Sequence, residues 1–137
     1  MKKILFLIAF VLPLSMTAQK APEAVVKAFA AKFPKVTKVS YDKEKNGEYE
    51  AGFKFNGVKM SANFKPTGEW VETEAEIAAT TLPEKVTMAI KKASPNAKIV
   101  GAAKIETAAN GLRYEADLKV GSTKSEVLYD ANGQLVK

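Results

Sequence analysis

The chain has no cysteine and no histidine among its 137 residues. Those two absences exclude disulfide staples, a thiolate nucleophile, a Ser-His-Asp triad, zinc fingers and any imidazole-ligated metal site. Glycine and proline are scarce as well, at eight and six residues, which excludes a fibrous or low-complexity chain. A hydrophobic fraction of 47% is too high for intrinsic disorder. The formal charge of +6 suggests a nucleic-acid partner, but the distribution of charge argues against one. Residues 22–76 carry nine basic and nine acidic side chains, and 83–137 carry nine and six, with the signs interleaved. A nucleic-acid surface clusters its cations and clears acids away.

Long hydrophobic runs are missing except for one. Ile4 to Leu14 is apolar for eleven residues, where a membrane span needs roughly 20. Lys2 and Lys3 precede it and Ser15, Met16, Thr17 and Ala18 follow, which is the layout of a secretory signal peptide. Residues 1–18 are therefore expected to be removed, leaving a single domain, 19–137, exported to the periplasm with no transmembrane segment. That remainder has 119 residues and a net charge of +4. Acylation as a lipoprotein is excluded, because no cysteine follows the run.

The remaining sequence is written twice. Pro22-Glu23-Ala24-Val25 recurs as Pro83-Glu84-Lys85-Val86, an offset of 61. Further on the offset becomes 65, with Tyr49-Glu50-Ala51 matching Tyr114-Glu115-Ala116 and Gly68 matching Gly133. Each copy opens with a helix: the prolines suit the first helical position and the following glutamates suit the positive end of the dipole. Val25, Val26, Phe29, Ala30 and Phe33 fall on one helical face, as do Val86, Ala89, Ile90 and Ala93. Pro34 and Pro95 end the two helices.

Strands follow. Asn46-Gly47, Asn56-Gly57, Asn110-Gly111 and Asn132-Gly133 are tight-turn dipeptides. Between them Tyr49, Ala51, Phe53 and Phe55 alternate with polar residues, as do Val58, Met60, Ala62 and Phe64. Such alternation packs one sheet face and wets the other. Gly101 breaks the pattern and suggests a bulge. The expected fold is α+β, built of two tandem repeats (22–76 and 83–137). Each is one helix followed by a four-stranded antiparallel meander, with the helices on one sheet face.

Phe33-Pro34, Tyr49-Glu50-Ala51, Gly68-Glu69-Trp70, Leu82-Pro83, Tyr114-Glu115-Ala116, Tyr129-Asp130 and Asn132-Gly133 occur in an order that resembles the exported PepSY-like proteins. Those have a fold like that of the β-lactamase inhibitory protein. The resemblance implies a helix-plus-four-strand tandem in the periplasm, of uncharacterised function, and brings no catalytic motif. A shared fold does not establish inhibition.

Carboxylates are the only acid–base equipment available. Glu72, Glu74 and Glu76 lie about 7 Å apart in succession along one strand face and do not converge unaided. Glu115 and Asp117 share a face flanked by Arg113 and Lys119, the pattern of a cross-strand salt-bridge ladder. Neither grouping marks a catalytic or metal site, and no cofactor motif is present. Trp70 matches Leu135, so it reads first as a core residue and second as an exposed anchor. Alternation sends Lys54, Lys59, Arg113, Lys119 and Lys124 onto the open face. With Trp70 they form the candidate binding set. The functional expectation is a non-enzymatic periplasmic binding or inhibitor-like module offering that face to a protein or envelope polymer. The competing expectation is a structural or stress-related envelope protein.

Overall fold

The computed structural model describes residues 20–136, so the expected signal peptide lies outside the described residues. The elements run α1 (Glu23–Lys32), β1 (Val39–Lys43), β2 (Tyr49–Phe55), β3 (Val58–Phe64), β4 (Trp70–Glu76), a 3-10 turn (Ala79–Thr81), α2 (Glu84–Ala93), β5 (Lys98–Thr107), β6 (Gly111–Val120) and β7 (Thr123–Asp130).

The prolines set both helix boundaries. Pro22 stands at the N-cap, one position earlier than expected, with φ −54° and ψ 145°. Its carbonyl accepts the Val25 and Val26 N–H groups at 3.0 and 3.1 Å. Pro83 repeats the arrangement with φ −55° and ψ 142°, accepting from Val86 and Thr87. At the far ends Pro34 and Pro95 push the preceding residue out of helical geometry. Phe33 has φ −127° and ψ 63°, and Ser94 has φ −141° and ψ 71°. The buried stripe is narrower than the sequence suggests: Val25 and Phe29 are inside, but Val26 and Ala30 face water.

The two-copy, eight-strand expectation is corrected by the sheet. It has seven strands in the order β1-β2-β3-β4-β5-β6-β7, each beside its neighbours in sequence. The first helix is followed by four strands and the second by three. Where an eighth strand was expected, Leu135 makes only an isolated antiparallel bridge to Tyr129. Val136 N–H donates to the Leu128 carbonyl at 2.8 Å. Trp70 to Glu76 form a seven-residue strand after the Gly68 turn, whereas after the Gly133 turn the pairing among the described residues is confined to those two contacts.

The described chain falls into two compact units. The N-terminal unit comprises residues 20–76 and 104–113, the C-terminal unit 77–103 and 114–136. In the N-terminal unit Phe29 is the hub, with ring centroids 5.0 Å from Phe53, 5.2 Å from Phe33 and 5.9 Å from Tyr41. Val25, Tyr49, Ala51, Ala62 and Phe64 complete the cluster. β2 and β3 pair from Tyr49 against Phe64 to Phe55 against Val58, so the apolar faces meet the helix together.

In the C-terminal unit Leu82, Val86, Ile90, Ala102, Ala116, Leu118 and Tyr129 form the core. Ile99 and Ala102 both pack there although three residues apart, so strict alternation fails between them, around Gly101. At Gly101 a side chain would collide with the Asp117 carboxylate.

Candidate functional site

The open face of the N-terminal unit follows from strand register. β1, β2, β3 and β4 are antiparallel, and Asp42 pairs with Glu50, Glu50 with Asn63, and Asn63 with Glu72. Three carboxylates and one amide therefore stand in a row across four strands. Toward the other end of the same hairpin Lys54 pairs directly with Lys59. Lys59 Nζ also lies 3.7 Å from Glu76. The acidic row crosses the face toward one end, and the Lys54–Lys59 pair, with Glu76 beside it, lies toward the other.

Like charges directly opposite each other in a ladder destabilise it. Burial is the largest cause raising the Glu50 carboxyl above its ordinary value, followed by Glu44, Asp42 and Glu72, with Lys59 opposing. Glu72 is raised for the same first reason, and next by Glu48. Both protons are held more tightly than in the unfolded chain.

The predicted site residues do not form one patch. Lys54 and Lys59 are exposed cross-strand neighbours. Trp70 is half-buried on the helix side, packed against the Phe29 cluster. Its indole Nε1–H donates to Thr73 Oγ1 at 2.9 Å, and Lys32 Nζ sits 4.0 Å from its ring centroid. It is a core-edge residue, away from the lysine pair. Arg113 is half-buried near the start of β6, in the N-terminal unit. Lys119 and Lys124 are exposed and flank the Gly121 turn of the C-terminal unit.

The acidic residues around Trp70 take separate places: Glu69 pairs with Lys65 at 2.8 Å, Glu76 approaches Lys59, and Glu72 joins the row on β2 and β3. The sequence reading missed the acidic row because its members come from separate strands. Counting back from the Asn56-Gly57 turn would have aligned Glu50 with Asn63. It also missed Glu126, whose carboxylate lies with those of Glu115 and Asp117, all within 4.8 Å of one another. Those three offer one ligand oxygen each, about half of what Ca²⁺ takes, and are not assigned as a metal centre.

Two stretches, residues 13–61 and 47–137, match the family described as "Putative beta-lactamase-inhibitor-like, PepSY-like". The chain belongs to this family. Solved structures share the fold of this PepSY-like chain. A "putative periplasmic" protein from Bacteroides eggerthii superposes with a TM-score of 0.78 at 17% identity, covering 87% of this chain and 88% of that one. A DUF2874 family protein from Bacteroides ovatus gives 0.76 at 22% identity, covering 87% and 86%. A BLIP-like protein from Bacteroides fragilis gives 0.71 at 20% identity, covering 87% and 85%. At these identities the likeness is one of fold. No curated protein matches the chain. No helix among the described residues is long and apolar enough to cross a membrane.

Proposed function

We propose that residues 1–18 direct export and are removed, and that 19–137 act in the periplasm as one non-enzymatic binding domain. Its open sheet face engages an envelope protein or polymer. The observation that carries this reading is the register of like charges. Lys54 opposes Lys59, whose ammonium also lies 3.7 Å from Glu76, and Asp42 opposes Glu50; like charges directly opposite one another cost stability that a face selected only for folding would avoid. A partner with the reverse polarity, acidic where it meets the lysines and basic where it meets the carboxylates, would relieve both repulsions at once. The likeness to a BLIP-like protein supports a binding role by fold analogy alone.

The experiment is affinity capture from periplasmic extract with the mature protein and with Lys54→Ser/Lys59→Ser. The variant removes the lysine repulsion together with the exposed Lys59–Glu76 contact, worth about 0–1 kcal/mol, so the melting temperature should change little while capture falls. Equal capture by both proteins would remove the open face from consideration and leave a structural envelope role as the better reading.

A further inference from the structure

The helix side of the N-terminal unit holds a half-open cavity of about 330 Å³, lined by Lys32, Phe33, Met60, Thr73, Ala75, Lys104 and Glu106. Its size falls at the small end of ligand pockets, about 300–1,000 Å³. The lining is unusual for a sheet face that elsewhere packs a helix. Thr73 is the buried polar side chain among the described residues, 8% exposed. Its oxygen accepts the Trp70 N–H, which leaves its own O–H to donate. Lys104 pairs with Glu106 at 3.5 Å. Lys32 is stationed over the Trp70 ring at 4.0 Å, an ammonium positioned by an aromatic face rather than neutralised by a carboxylate. Phe33, Met60 and Ala75 supply the apolar part.

The second copy serves as an internal control. Positions that build the core keep their character across the repeat: Val25 and Val86, Phe29 and Ile90, Ala51 and Ala116, and Phe53 and Leu118 are all buried. Positions around the cavity do not, since Lys32, Phe33, Met60 and Trp70 correspond to Ala93, Ser94, Ser125 and Leu135. Phe33, Met60 and Trp70 also pack against the Phe29 cluster, whereas Lys32 is exposed over the Trp70 ring, so the cation is the member that core packing does not account for.

We propose that this cavity binds a small amphiphilic anion, one carboxylate on an apolar body. The carboxylate pairs with Lys32, competes with Glu106 for Lys104 and accepts from Thr73, while the apolar part lies on Phe33, Met60 and Ala75. A short fatty acid and the free C-terminus of a peptide ending in an apolar residue present the same chemistry.

The test uses the mature protein with octanoate, octanol, N-acetylphenylalanine and N-acetylphenylalanine amide. Trp70 is the sole tryptophan, so its emission reports displacement of Lys32, and the Met60 methyl resonance gives a second readout. Octanoate or N-acetylphenylalanine should produce a saturable change with a dissociation constant at or below about 1 mM. The tighter of the two identifies the source. Lys32→Gln/Lys104→Gln should weaken binding about tenfold or more, the scale of a lost charged contact. Ala75→Leu, which fills the cavity and leaves the charges, should abolish it. The proposal is overturned if neither acid changes either signal by about 10 mM. Octanol binding as well as octanoate, or affinity surviving Ala75→Leu, would overturn it equally.

Discussion

Two glycines with nearly the same backbone angle separate the cost of a left-handed conformation from the cost of a close approach. Gly57 has φ 79° and Gly68 has φ 87°. A methyl group added at Gly57 would meet nothing within 4 Å. At Gly68 it would lie 2.7 Å from the Ala24 carbonyl oxygen, nearer than real Cβ atoms come, and a tight 3.1 Å from the carbonyl carbon. The obstacle is backbone in the first turn of α1, which cannot rotate aside as a side chain would. Placing an L-residue in the left-handed region costs about 1–2 kcal/mol. Forcing a methyl into packed surroundings costs about 1–3 kcal/mol more.

Gly57→Ala should therefore lose about 1–2 kcal/mol and Gly68→Ala about 2–5 kcal/mol. Urea titrations followed by Trp70 emission and far-ultraviolet circular dichroism would measure both, with each kcal/mol moving the thermal midpoint by roughly 3–6 °C for a chain of this size. Gly133→Ala should behave as Gly68→Ala, because its methyl would come closer still to the Lys85 carbonyl oxygen. Equal losses at Gly57 and Gly68 would show that the turn after β3 does not press on the helix as described, and the argument would fail.

Ser94 has the backbone geometry of Phe33 and lines a cavity of about 270 Å³ with Ile90, Pro95 and Ile99. Ser94→Phe should restore the missing ring and raise stability by about 0.5–2 kcal/mol, read by chemical denaturation; a loss would mean the cavity cannot take the ring. Glu50 and Glu72 bind their protons more tightly folded than unfolded, so their penalty is full above their folded pKa and disappears as pH falls below the unfolded value. Glu50→Gln/Glu72→Gln should raise the melting temperature near neutral pH, with the gain over wild type shrinking toward pH ~4; a gain that grows on acidification would refute this sign.

Much of the architecture is legible because it is local. The alternation of Tyr49, Ala51 and Phe53 predicts which side of β2 is buried, and those three residues are buried. Gly47, Gly57, Gly111 and Gly133 all have positive φ, as turn dipeptides require. What was not legible depends on partners. The row through Asp42, Glu50 and Glu72 exists only once strands are in register, and between Asn63 and Phe64 that register shifts, so that Phe64 pairs with Trp70. A uniform period of two cannot foresee such a shift. The missing eighth strand is a failure of a different kind. The turns before it match well: Lys65 N–H donates to Glu69 and Gly68 to Lys65, as Asp130 does to Gln134 and Gly133 to Asp130. The correspondence runs on through Trp70 with Leu135 and Val71 with Val136, but likeness of a turn and the two residues after it says nothing of how many ladder bonds follow.

The duplication also indicates where selection for folding stops. Gly68 and Gly133 pack against the first turns of α1 and α2 at corresponding residues, Ala24 and Lys85. A contact so close leaves little freedom, and both copies keep the glycine. At several positions without such a contact the two halves differ, although Lys54 and Lys119, and Lys59 and Lys124, are the same. Lys32 over Trp70 has Ala93 and Leu135 as its counterpart, and Gly52 and Ser61 correspond to Asp117 and Glu126. The first copy thus carries a cation on its helix side, and the second has placed extra carboxylates beside Glu115. Under the proposed binding role, that difference in surface chemistry would let the two halves of the chain make different contacts.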